Sequence, residues 1–136
     1  MKAIVMSLVL AVSLVMLARP FDAAADCGDR IVLSATADGA AVAASGVAYV
    51  GSMEASAQQT FSVLVSIAVP DGTQLLVIAN GLPAGTVTVA GGRAALDLNN
   101  ATGPLPAGVD PVCQIGPIWV TDAGQTTALL VNADFN

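Results

Sequence analysis

Carboxylates are the side chains of this sequence best suited to chemistry. A paired-carboxylate hydrolase needs two acids facing each other across a cleft, one of them acting as general acid. The acids here are separated, and most stand in segments typical of turns, where aspartate is common because it binds backbone N–H groups. The candidates are Glu54, Asp71, Asp97, Asp110 and Asp122. We interpret them as turn residues, so the sequence predicts no catalytic residue.

Other common catalytic and metal-binding groups are missing from the sequence. The chain has no histidine, and its one lysine, Lys2, lies at the N-terminus. A serine–histidine triad, a cysteine–histidine pair and an imidazole zinc site therefore cannot form. No Asp-x-Asp-x-Asp-Gly loop for calcium occurs either. We predict a non-enzymatic protein without a metal site or cofactor.

Two cysteines, Cys27 and Cys113, are the only thiols. They do not form a Cys-x-x-Cys pair, and no histidine or lysine stands nearby to activate them, so redox chemistry is disfavoured. In an oxidising compartment, two cysteines of a small exported domain most simply form one structural bond. The sequence predicts a disulfide between Cys27 and Cys113.

The N-terminus has the pattern of an export signal. Met1-Lys2 is a short positive region, and residues 3–18 form an apolar run that ends at Arg19-Pro20. A helix of that run is about 24 Å long, short of a hydrocarbon core of about 30 Å. Ala23-Ala24-Ala25 fits a cleavage site. We predict a signal peptide over 1–25 and one domain over 26–136, with an uncleaved anchor as the alternative.

Removal of the signal peptide leaves an acidic domain. Asp22, Lys2 and Arg19 are lost, so nine carboxylates face Arg30 and Arg93 and the net charge is near −7. Such a surface repels nucleic-acid phosphates and anionic lipid headgroups. We therefore expect a secreted, periplasmic or cell-surface protein that binds neither nucleic acid nor, after cleavage, a membrane.

Residues 59–98 indicate the fold class. Of four apolar segments, three alternate with the period of a β-strand and the one at 74–79 is continuously apolar; Pro70–Thr73, Asn80-Gly81 and Gly91-Gly92 supply turns between them. The segments are Thr60–Val69, Gln74–Ala79, Thr86–Val89 and Ala94–Leu98. We predict that these four strands form an antiparallel meander.

Further strands flank these four segments. They are predicted at Arg30–Ala37, Gly46–Val50, Ile118–Thr121 and Thr126–Val131. Residues 40–45 are expected to form a loop or edge segment, 53–58 a connection or a short helical turn, 99–111 an irregular surface crossing and 112–115 a return to the sheet. About eight short strands make an all-β domain, either an antiparallel sandwich or a small barrel.

Burial and edges can also be predicted. Leu75–Ile78 is apolar on both faces, which is typical of a covered central strand. Lone aromatics in apolar strands, here Tyr49, Phe61 and Trp119, are expected in the core. Few charges protect the edge strands, so we expect them to be open to pairing with another copy or a matrix partner.

The order of several motifs resembles a known group. Gly46-x-Ala-Tyr49, Phe61-x-Val-x-Val65 and Leu96-x-Leu98, with the turn pairs between them, are similar to small secreted bacterial β-domains of unassigned function. The resemblance covers about residues 46–135. It departs at 132–135, where Asn-Ala-Asp-Phe replaces a glycine before the final aromatic. It implies a β-sandwich fold and no particular activity.

Two functional hypotheses follow from these observations. The first is an exported non-enzymatic β module that contacts a surface, a matrix or a protein partner. The second is a binder of a small apolar ligand, held within a barrel or between sheets.

Overall fold

A computed structural model describes residues 27–132. Its eight antiparallel strands form one sheet in the order β5-β4-β7-β8-β1-β2-β3-β6, curled into a nearly closed barrel. The strands are β1 Cys27–Ala35, β2 Ser45–Met53, β3 Gln58–Ser66, β4 Gln74–Ala79, β5 Leu82–Thr88, β6 Arg93–Asn99, β7 Ile118–Asp122 and β8 Ala128–Asn132. The all-β prediction is confirmed, and of its two alternatives, a sandwich or a small barrel, the sheet is barrel-like. The predicted signal peptide lies outside the described residues.

The predicted four-strand meander is wrong. β3 pairs with β2 and β6, whereas β4 pairs with β5 and β7. Only the β4–β5 hairpin joins neighbours within residues 59–98, through Asn80 and Gly81, whose φ angles are 52° and 78°. These angles suit the tight turns that connect twisted strands. Alternation and turn residues locate these strands to within about four residues, the largest difference being β5, predicted at Thr86–Val89 and found at Leu82–Thr88. They do not select which strands pair.

Two connections differ from the sequence expectations. Residues 37–41, expected at the end of β1 and in the following loop, form a short helix, α1 (Ala37–Ala41). Residues 112–115, expected to rejoin the sheet, contain a 3₁₀ turn at Val112–Gln114. A second 3₁₀ turn, Glu54–Ser56, lies in the predicted connection between β2 and β3. Both helical segments that replace the expected structure are too short to show a helical period in sequence.

The inward faces of the strands form one apolar core. Phe61, Leu75, Ile118 and Leu130 are among its fully buried side chains, which confirms the prediction for Phe61. Residues Leu75–Ala79 of β4 are all buried, as expected for a covered central strand. The long segment after β6 was expected to cross the surface. It instead contributes buried side chains to this core, namely Leu105, Val109 and Val112.

The predicted disulfide is present. Cys27 and Cys113 are bonded, with their Cα atoms 5.8 Å apart. The bond joins the start of β1 to the 3₁₀ turn that packs against β2 and β3. It therefore fastens the long segment after β6 to the barrel. Within residues 27–132, no helix is long and apolar enough to span a membrane.

Candidate contact face

The four aspartates considered as catalytic candidates bind different partners. Asp71 accepts a hydrogen bond from Gly91 N at 2.8 Å, Asp97 from Ser62 Oγ at 2.7 Å, and Asp110 from Gln59 Nε2 at 3.2 Å. Each bond links segments distant in sequence. Glu54, the fifth candidate, begins the 3₁₀ turn after β2. Among residues 27–132, no three His, Cys, Asp or Glu residues are grouped so that they could hold a metal ion.

Asp122 closes the β7–β8 hairpin. Its Oδ1 accepts the N–H groups of Thr126 and Thr127, each at 2.8 Å, and its Oδ2 accepts the Thr126 hydroxyl. The Thr126 hydroxyl, followed by the Thr127 N–H, lowers the pKa of the Asp122 carboxyl. A general acid that works near neutral pH needs the opposite shift. This geometry suits a turn and offers no acid–base chemistry.

Two aromatic side chains lie outside the core, contrary to expectation. Tyr49 is 42 % exposed and Trp119 is 47 % exposed. In both strands the flanking aliphatic residues point inward, and strand alternation then places the aromatic ring on the outer surface. One example is Trp119, which lies between the fully buried Ile118 and Val120. In these two strands the aliphatic neighbours, and not the aromatic rings, face the interior of the barrel.

A row of apolar side chains crosses the outer surface of four strands. Val32 of β1 pairs with Val47 of β2, Val47 with Leu64 of β3, and Leu64 with Ala95 of β6. Val32 and Leu64 are 46 % and 48 % exposed, Val47 is half-buried, and Ala95 is exposed. We call the outer surface of β1, β2, β3 and β6 the open face.

Polar rows border the apolar row on both sides. Toward one end of the strands, the register places Arg30, Tyr49, Ser62 and Asp97 side by side. Toward the other end, Ser45, Ser66 and Arg93 form a second row. An apolar centre with a polar rim is the general anatomy of a protein interface.

A shallow groove of about 660 Å³ runs over the open face. The apolar part of its lining includes Val47, Leu64 and Ala95, and the hydroxyls of Ser45, Ser66 and Thr88 also contribute. Arg30 and Arg93 line the same groove. They are the only cations among residues 27–132, and within that part of the chain neither guanidinium forms an ion pair. Both positive charges therefore remain available on one surface.

The two sheet edges lie beside each other. β5 and β6 approach closely, and the Leu96 side chain would lie 2.8 Å from a Cβ placed on Gly85. Pro83 within β5, and the bulge between Val77 and Ile78 opposite it, further interrupt strand pairing at this edge. The open face is therefore a more continuous surface for contact than either edge.

Sequence reasoning missed the open face. The only signal was that the strands carry apolar residues at both alternation phases, as in Ile31-Val32-Leu33 and Val63-Leu64-Val65. A continuous apolar row forms only when the register of strand pairing aligns the outward-facing residues of four strands. The pairing was not predictable locally.

The fold and surface define an all-β, disulfide-bonded domain with a nearly closed eight-stranded barrel. No family model, no curated protein and no solved structure matches the chain. The similarity to small secreted bacterial β-domains therefore stays a prediction.

Proposed function

We propose that this protein is an exported, non-enzymatic β module that acts by contact with a protein partner through its open face. The observation that carries the proposal is the exposed row of Val32, Val47, Leu64 and Ala95. Burying apolar surface contributes about 25 cal/mol per Å², so covering this row would favour association. The disulfide is compatible with an oxidising compartment.

The aspartate geometry supports contact over catalysis. Asp71, Asp97, Asp110 and Asp122 each bind a backbone or side-chain group that stabilises the fold. Catalytic carboxylates instead converge on a cleft and commonly have a raised pKa. These four aspartates hold turns and neighbouring segments together.

The second hypothesis, a small apolar ligand inside the barrel, has less support. The interior is occupied by buried side chains, including Phe61, Leu75, Ile118 and Leu130. The 660 Å³ groove lies on the outer surface and is lined by two charged groups. A wide, open site with charges suits a macromolecular surface better than a small apolar molecule.

A matched pair of leucines tests the proposal. Leu64 lies on the open face and Leu82 lies on β5, with exposures of 48 % and 47 %. A photo-crosslinking amino acid is placed at each position in the full chain, expressed in the cell that produces it. We expect a discrete protein adduct from position 64 and none from position 82. Val47→Asp, which places a charge beside position 64, should abolish the adduct. Equal adducts from both positions, or none from position 64, would contradict the contact function.

A further inference from the structure

We infer that the groove of the open face binds an acidic segment of a protein partner, with two carboxylates that flank an apolar side chain. This inference rests on the proposed contact function and names the chemistry of the partner at that same face. Its support is the placement of both arginines in one groove.

The charge distribution selects an anionic occupant. Residues 27–132 carry seven acids and two cations, and both cations line the groove. Within its own chain, Arg30 stands three strands from Asp97 in the same row, and Arg93 stands four residues from Asp97 along β6. These steps correspond to about 14 Å each, too far for an ion pair. A carboxylate from outside can therefore bind each guanidinium, with two parallel hydrogen bonds where the geometry allows.

The spacing of the two arginines fits a partner segment that carries two acidic residues. Across a flat sheet, the Cα atoms of Arg30 and Arg93 would be separated by about 20 Å along the diagonal of the open face. In an extended segment, side chains at positions i and i+4 share one face and lie about 13 Å apart. Long arginine and glutamate side chains bridge the remainder. The residue at i+2 then faces the apolar row at Val47 and Leu64.

Other occupants match the groove less well. Small molecules usually bury most of their surface in a site, whereas this groove is open to solvent. A second copy that presented its own open face would bring the same groove and the same two arginines, so the groove would stay unfilled. The aliphatic lining of the groove also lacks an aromatic ring on which a sugar could stack. An acidic, partly apolar peptide meets both the charge and the shape.

A peptide series tests the inference on the full mature chain. The lead probe is acetyl-Glu-Thr-Val-Thr-Glu-amide, with acids at i and i+4; a second probe has them at i and i+2. A third replaces both glutamates by glutamine. Titrations followed by NMR of the labelled protein should show saturable binding of the lead probe, with Kd below about 1 mM. Shifts should be centred on the open face, and the other two probes should bind more weakly.

Variants of the protein assign the contacts. R30Q and R93Q should each weaken binding of the lead probe about fivefold, the scale of one exposed ion pair. Arg→Lys at either position should restore part of the loss, since lysine keeps the charge without the paired donors. D97N is the control on the same face: it removes an acid outside the groove lining and should leave binding unchanged or strengthen it.

Several results would overturn the inference. They are no saturable binding of any acidic probe, equal binding of the glutamine probe, or insensitivity to both arginine variants. If an oligogalacturonate binds more tightly than the lead probe, and R93Q abolishes that binding, the occupant of the groove is an acidic glycan and not a peptide. If the protein self-associates and R93Q abolishes that association, the occupant is a second copy of this chain. If these occur while the position-64 adduct persists, the inference fails and the contact function stands; loss of that adduct removes the contact function itself.

Discussion

Replacing Gly39 by alanine should destabilise the barrel, although the same change normally favours a helix. Gly39 lies in α1, which packs directly on the backbone of β8. A Cβ at this position would lie 1.9 Å from Leu129 O and 2.9 Å from Leu129 C. Real Cβ atoms essentially never come closer than 3.0 Å to such a neighbour. The obstacle is backbone, so α1 has to move by about 1 Å.

The size of the effect follows from the bonds that hold α1 in place. Thr36 Oγ1 accepts Gly39 N at 3.0 Å as the helix cap, and Thr36 donates from N to Leu129 O at 3.0 Å and from Oγ1 to Ala128 O at 2.6 Å. Loss of the cap costs about 1 kcal/mol and loss of the two bonds to β8 about 2 kcal/mol. The gain in helix propensity offsets about 1 kcal/mol. The net expectation is a loss of about 2 kcal/mol.

Urea unfolding, followed by circular dichroism, measures this difference. Gly28→Ala is the matched control, because a Cβ at Gly28 meets nothing within 4 Å. It should stay within about 0.5 kcal/mol of the parent protein. A Gly39→Ala protein as stable as the parent, with an unchanged m-value, would refute the close packing of α1 on β8.

Four further changes test the crosslink, the core, the outer surface and the β7–β8 turn. Serine at both Cys27 and Cys113, which are 86 residues apart, should lower the free energy of unfolding by up to about 4.6 kcal/mol; unchanged urea midpoints would contradict this. Phe61→Ala should cost about 3–5 kcal/mol, because Phe61 is fully buried. Trp119→Ala should cost only about 1 kcal/mol, because Trp119 is half-exposed. Equal losses of stability in the Phe61→Ala and Trp119→Ala proteins would contradict the difference in burial between the two side chains. The folded-state pKa of Asp122 lies below its usual 3.8, so its stabilising contribution is present above that pH and is lost as pH falls through the folded value. Asp122→Asn should therefore weaken the pH dependence of stability below about pH 4. The same dependence of the unfolding free energy on pH in the variant and the parent protein would contradict this.

The sequence alone determined where most strands and one hairpin lie. Alternation is local: a run such as Phe61-x-Val63-x-Val65 has one apolar side wherever its partners are, and it forms β3 with that side buried. Asn80-Gly81 also acts locally, since both residues tolerate the positive φ that the turn between β4 and β5 requires. The disulfide was predictable from the expected export and from the presence of only two cysteines.

Strand order, the outer aromatics and the open face were decided only by tertiary structure. Pairing β3 with β6 rather than β4 depends on contacts between residues far apart in sequence, and no local pattern encodes them. Where both alternation phases are apolar, as at Val63-Leu64-Val65, either side could face the core. Closure of the barrel selects Val63 and Val65 for the interior and leaves Leu64 outside. The same closure brings Arg30 and Arg93, 63 positions apart in the chain, to one groove. Side-chain type determines what each strand can bury, and the packing of all eight strands determines what is left exposed.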